Sequence, residues 1–183
     1  NALAVFKDPA TGEPRLACGD GDGKVHIFDP VAGGEALLVI DVGSYVNALA
    51  LFTDPATGAL RLVCGTSINW GESGDVRVFD PVAGGEALLV LDIGSKVLAL
   101  AVFTDKTGSR RLACGCEDGK VRVFDPVTGG EALLVLTLGH EVKALEVFED
   151  PATGAPRLAC GCDDGKVRVF DPRAEVSENS SAL

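Results

Sequence analysis

The stretch LACGCEDGKVRVFDP, from Leu112 to Pro126, returns with one substitution as LACGCDDGKVRVFDP, from Leu158 to Pro172. Its first four residues form an apolar run. The Asp-Gly pair that follows is a strong signal for a tight hairpin turn. KVRVF then alternates polar and apolar residues, as a half-buried strand does, and stops at a proline that cannot donate to a sheet ladder. The same pattern stands earlier as LACGDGDGKVHIFDP, Leu16 to Pro30, and, with a longer turn, as LVCGTSINWGESGDVRVFDP, Leu62 to Pro81.

Working outward, each copy is preceded by an apolar run, ALAVF, VNALALF, VLALAVF or VKALEVF. Such runs suit a strand buried on both faces. A turn follows each run: FKDPATG from Phe6, FTDPATG from Phe52, FTDKTG from Phe103 and FEDPATG from Phe148. The four Phe positions are 46, 51 and 45 residues apart, the long step coming from the insertion in the second copy. After the FDP end of three copies, a Gly-Gly turn leads to EALLVI or EALLVL, too short for a stable isolated helix.

Four short strands in about 46 residues, repeated, is the pattern of one β-propeller blade per repeat. A single blade cannot bury both of its faces, so blades recur and stack. The expected fold is therefore all-β: four repeats, each a four-stranded antiparallel sheet, over about residues 1–43, 44–94, 95–139 and 140–172. Residues 173–183 read as a polar tail, leaving the last blade without its outer strand. The reading favours the C-terminal part of a seven- or eight-bladed propeller. Two copies closing one eight-bladed ring and a lone four-bladed ring remain open. The absence of Met is what a processed product or a piece of a longer chain would show.

LACGCEDGKVRVFDP, its near twin and the Gly139-His140 pair before the last inner strand resemble the WD-repeat family over about residues 1–172. That resemblance implies a hydrogen-bond network within each blade. In the fourth copy it would use His140 and Asp164, with Cys160 and Phe170 at the two remaining places. Ser44 and Ser95 stand where His would be; Asp22 and Asp118 keep the acid, and Ser73 replaces it in the second copy. Phe28, Phe79, Phe124 and Phe170 would fill the aromatic sites by packing. FDPVTGGEALLVL and FTDPATGALRL are also similar to quinoprotein-like propeller repeats, but the docking Trp of those repeats is replaced by leucines such as Leu133.

The formal net charge of −11, with basic residues dispersed among more numerous acids, argues against nucleic-acid binding and against an anionic membrane surface. No stretch of about 18 apolar residues occurs. Cys18, Cys64, Cys114 and Cys160 share one slot in the four copies, which reads as a small buried hydrophobe and a reducing, intracellular compartment. The pairs Cys114 with Cys116 and Cys160 with Cys162 would share a strand face, but their spacing is unlike usual zinc motifs, so no metal or cofactor is expected. Polar residues on the inner strands are limited to Glu146 and Asn47, and neither His26 nor His140 belongs to a nucleophile pattern.

These features point to a non-catalytic scaffold that binds other proteins, with a quinoprotein-like domain as the alternative. The expected partner face carries the insertion with Trp70 and Glu72, together with Tyr45, Lys96 and Glu141 from the turns joining successive repeats. Trp is enriched at binding hot spots, and loops carry function more often than the scaffold does.

Overall fold

The computed structural model describes residues 2–68 and 73–172; it is all-β, and the chain divides into two compact units, Asn1–Val97 and Leu98–Leu183. In the first unit, β1 (Ala2–Lys7), β2 (Pro14–Gly19), β3 (Lys24–Phe28) and β4 (Leu38–Asp41) pair antiparallel in chain order. A second sheet repeats this with β5 (Tyr45–Thr53), β6 (Leu60–Ser67), β7 (Asp75–Phe79) and β8 (Leu89–Asp92). The second unit holds β9 (Val97–Thr104) from its second residue on, β10 (Arg110–Cys116), β11 (Lys120–Phe124) and β12 (Leu134–Thr137), then a three-stranded sheet of β13 (Val142–Glu149), β14 (Pro156–Cys162) and β15 (Val167–Phe170). The EALLVL segments contribute only their last part to strands; the Glu-Ala half stays in the connection.

The turns explain why the same strings recur. In D-P-A-T-G the Asp8 carboxylate accepts the Ala10 amide at 2.9 Å, and the Gly12 amide donates to the Asp8 carbonyl at 2.8 Å. Asp29 does the same after β3, capping Val31 and Ala32 at 2.8 Å each. An arginine at the start of the second strand then reaches the capping aspartates: Arg111 to Asp105 at 2.7 Å and to Asp125 at 3.4 Å, Arg157 to Asp150 at 2.8 Å and to Asp171 at 3.4 Å. Arg15 spans Asp8 and Asp29, and Arg61 reaches Asp80. The D-x-x-T-G strings shared with quinoprotein-like repeats thus serve this turn and its clamp.

Strand register gives each sheet two faces. In the first sheet Leu3 pairs with Cys18, Val5 with Leu16 and Leu16 with Phe28; these form its leading face. Ala4, Ala17, Val25 and Ile27 lie on the opposite, trailing face. Within the first unit, trailing residues Ala17, Val25, Ile27 and Ile40 pack with leading residues Leu62, Cys64 and Phe79 of the second sheet. Within the second unit Ala113, Val121 and Val123 pack the same way on Leu158 and Cys160. One interface is therefore used twice, with equivalent side chains.

The expectation that all four FDP phenylalanines fill buried sites is corrected here. Phe79 and Phe124 are buried, whereas Phe28 and Phe170 are half-buried. Phe28 lies on the leading face of the first sheet, beside the exposed Leu3 and Val5. Phe170 lies on β15, beyond which no further strand pairs among the described residues.

Candidate functional site

The two ends of each sheet differ in kind. One end carries the Asp-capped turns and arginine clamps, which recur in the copies, the third with a turn one residue shorter. The other carries the turn between second and third strands and the connection to the next sheet, and there the copies diverge. In the first unit the connection is held by the Val46 amide donating to the Asp20 carbonyl at 3.1 Å and the Gly43 amide donating to the Gly23 carbonyl at 3.0 Å. Gly23 has φ +80°, and a β-carbon there would meet the Ser44 amide nitrogen at 2.8 Å, so the close approach requires glycine.

Tyr45 begins β5 and is 44% exposed, its ring 2.9 Å from where a β-carbon on Gly21 would stand. Lys96 sits half-buried before β9 and makes an interaction of its own. Trp70 and Glu72 lie outside the described residues; the chain on either side of them is joined by a bridge between Ile68 and Ser73. In the second unit the Glu141 carboxylate accepts from Lys143, and its carbonyl accepts the Asp163 amide at 3.1 Å.

Behind these turns, each sheet holds a polar group around the residue at the arginine slot of its third strand, and this is where the sequence-based network needs correction. In the fourth copy Asp164 is bound not by His140 but by Arg168, through two hydrogen bonds of 3.1 and 2.7 Å. His140 is exposed, and its nearest approach to Asp164, 3.7 Å, is longer than a hydrogen bond. That arginine hydrogen bond is the largest of the effects holding the Asp164 carboxyl well below the usual range. Arg122 and Asp118 repeat the geometry at 3.1 and 2.6 Å.

In the first copy Asp20, rather than Asp22, supplies the carboxylate. It accepts the Lys24 amide at 2.9 Å and lies 3.0 Å from His26, whose ring stacks on Phe28. In the second copy Asp75, rather than Ser73, does so. Buried Asp75 accepts two bonds from Arg77, at 2.9 and 2.7 Å, and one from Thr66, while Arg77 also donates to the Val42 carbonyl at the end of the first sheet. The sequence carried a signal for this. The first copy departs from the others at two slots together, Asp20 where Cys116 and Cys162 stand and His26 where the arginines stand.

The slot cysteines Cys64, Cys114 and Cys160 are buried, Cys18 less so, and all six thiols are free. The Cys116 thiol donates to the Cys114 carbonyl at 3.6 Å. Among the described residues no group of three or more His, Cys, Asp or Glu side chains is placed to hold a metal ion. An open cleft of about 650 Å³ in the second unit is lined by Phe103, Asp105, Lys106, Phe148, Glu149 and Pro156, among others. No helix among the described residues is long and apolar enough to cross a membrane.

Residues 91–125 and 132–171 match the family model described as "WD domain, G-beta repeat". No curated protein sequence is significantly similar to the chain. Among solved structures, the computationally designed Ika4 protein superposes with a TM-score of 0.64 at 29% identity, over 93% of this chain and 89% of that one. The designed Ika8 protein gives 0.64 at 28% identity, over 93% of this chain but 45% of its own. Sqt1 of Saccharomyces cerevisiae gives 0.71 at 18% identity, over 93% and 45%, and shows the fold alone. Against Ika8 and Sqt1 the chain thus spans about half of the other protein's length. The match to WD repeats thus covers residues 91–125 and 132–171, and the strand order of the first two sheets is the same, so the four sheets are β-propeller blades of which the last shows three strands.

Proposed function

We propose that the chain is a non-catalytic protein-binding platform whose partner contacts the end of the blades bearing Tyr45, Lys96 and Glu141, with the Trp70–Glu72 insertion on the same end. The observation that carries this is the contrast between ends. The turns at the clamp end recur from copy to copy, their aspartates capping the turn and receiving an arginine, as Asp8 and Asp29 do with Arg15 and Asp105 and Asp125 with Arg111. At the other end the second copy carries an insertion and the connecting turns bear Tyr45, Lys96 and Glu141 at one slot, while main-chain bonds hold the turns in place, as with Val46 to Asp20 between the first two sheets and Asp163 to Glu141 within the fourth repeat. A rigid frame with variable tips is what selective binding by loops uses. A similar solved structure in a protein complex supports the reading, BBS1N with ARL6DN, at 15% identity and a TM-score of 0.73. Six free thiols support a reducing, intracellular compartment.

The test compares proteins retained from extract by the wild-type chain with those retained by two variants. One combines Tyr45→Ala, Trp70→Ala and Glu141→Lys; the other, at the clamp end, combines Glu13→Lys and Val31→Ser. Loss of the same proteins from the first variant alone supports the proposal. Equal retention by both, or no saturable binding by the wild type, overturns it.

A further inference from the structure

The outer strands β4, β8 and β12 each stand last in their sheet, so one side of each is an open edge. Exposed apolar residues recur along all three. Leu37 and Val39 are 59% and 47% exposed, and Leu88 with Val90 and Leu133 with Val135 repeat the pair. An open edge is a template on which another extended chain pairs, and natural edges are commonly guarded by charge, proline or bulges. β4, Leu-Val-Ile-Asp, has a single charge, at its last residue.

The edge of β4 has main-chain groups turned outward. The Asp20 amide donates to the Lys24 carbonyl, so Lys24 and His26 direct their main-chain groups to β2, and Val25 and Ile27 direct theirs to β4. Val25 and Ile27 stand opposite Ile40 and Leu38. The alternate residues, Val39 and Asp41, therefore point their amides and carbonyls out of the sheet. Beside them lies an open groove of about 560 Å³, lined by Val39, Ile40, Asp41, Val42, Arg77 and Glu86, among others. Arg77 is already engaged by Asp75 and the Val42 carbonyl. Asp41 and Glu86 form no ion pair among the described residues, and Lys24, opposite Asp41 on β3, is not bonded to it. No Lys or Arg occurs from Asp29 to Gly43, where exposed Glu35 adds a further acid.

We propose that the edge of β4 binds an extended segment of another protein as a fifth strand of the first sheet, antiparallel like the four present. The segment is apolar at alternate positions and carries Lys or Arg at its ends and in its middle. Main-chain bonds to Val39 and Asp41 hold it, apolar side chains cover Leu37 and Val39, and basic ones meet Asp41, Glu35 and Glu86. The same charges disfavour a second copy's β4 as the occupant. With Val39 opposite Leu37, two such edges would set Asp41 opposite Glu35 twice, like charge on like. The inference does not depend on the partner proposed for the blade ends.

The experiment measures binding of a fluorescent, end-capped peptide, Lys-Thr-Val-Arg-Val-Thr-Lys, to the full 183-residue chain by anisotropy. In the proposed register its valines face Val39 and Leu37, its end lysines Asp41 and Glu35, and its arginine the groove with Glu86. Saturable binding is expected. Val39→Pro removes an outward amide and leaves the ladder to β3 intact, so it weakens binding about tenfold or more, with an unchanged far-ultraviolet spectrum as the check on the fold. Val90→Pro, the same change on β8, leaves binding unaltered. Asp41→Lys combined with Glu86→Lys, both at exposed positions, weakens it by a similar factor without recourse to proline. N-methylation of the peptide's valines, whose amides face β4, abolishes binding, whereas N-methylation of its threonines spares it. Absence of saturable binding by the wild type overturns the proposal. So does equal weakening by Val39→Pro and Val90→Pro, or equal binding of the two N-methylated peptides. Slow hydrogen exchange at the Val39 and Asp41 amides of the free chain, the mark of a second copy on this edge, overturns it as well.

Discussion

A γ-methyl of Val142 lies 2.7 Å from the point where a β-carbon on Gly115 would stand. Val142 is the first residue of β13, and it enters the preceding sheet through the gap that glycine leaves. Gly19 and Val46 repeat this in the first unit, at 2.5 Å. The glycine of the R-L-x-C-G string is thus a socket for the next blade.

Gly115→Ala is expected to destabilise the chain by about 1–3 kcal/mol, the usual cost of overpacking a filled interface. The same change at Gly161, where the nearest atom is the Ala144 β-carbon at 3.5 Å, is expected to be close to neutral. Denaturant midpoints of the two variants decide it; equal shifts would show that socket filling is not what glycine provides.

Phe124 is 4% exposed, so Phe124→Ala removes a buried ring at a cost of about 3–5 kcal/mol. Phe170→Ala, at the same slot on the half-buried β15, is expected to cost distinctly less. A melting temperature for Phe124→Ala equal to that of the wild type would refute the packing role given to these rings.

Nine carboxyls among the described residues, Asp8, Asp20, Asp29, Asp54, Asp105, Asp118, Asp125, Asp150 and Asp164, are held below their ordinary value of 3.8. Main-chain amides do this chiefly for Asp8, Asp20, Asp29 and Asp54, and Arg157 and Arg168 for Asp150 and Asp164. With the folded values depressed, the unfolded chain binds more protons in the acid range. The stability they confer is complete above about pH 5 and is lost as pH falls through the folded values. A melting temperature that is flat in its carboxylate contribution above that point and drops below it is the expected profile. Insensitivity to acid down to the folded values would contradict the capping and clamping roles.

Burial pushes the Cys64 and Cys160 thiols up to about 12 and Cys116 to about 11, and raises Cys114 well above the usual thiol range. Only the thiolate reacts, so an alkylating reagent at about pH 8 should leave these four unmodified in the folded chain and label all six cysteines after denaturation. Mass spectrometry counts the adducts. Rapid labelling of Cys114 in the native chain would show that the interior opens.

The sequence by itself determined the blade. Strand number and order follow from the alternation of KVRVF, the Asp-Gly turns and the D-P-A-T-G string, because turn geometry and side-chain period are local properties. The match of Gly115 to the next strand was legible only as a recurrent glycine. Which carboxylate binds the third strand was decided by the tertiary structure: Asp20 rather than Asp22, Asp75 rather than Ser73, Arg168 rather than His140. Those choices depend on the path of a turn through space, which spacing along the chain does not encode. The same holds for Phe28 against Phe79 and for Val167 against Val121. Identical slots in the repeat have identical local structure, and their burial is set by whether another sheet lies over them.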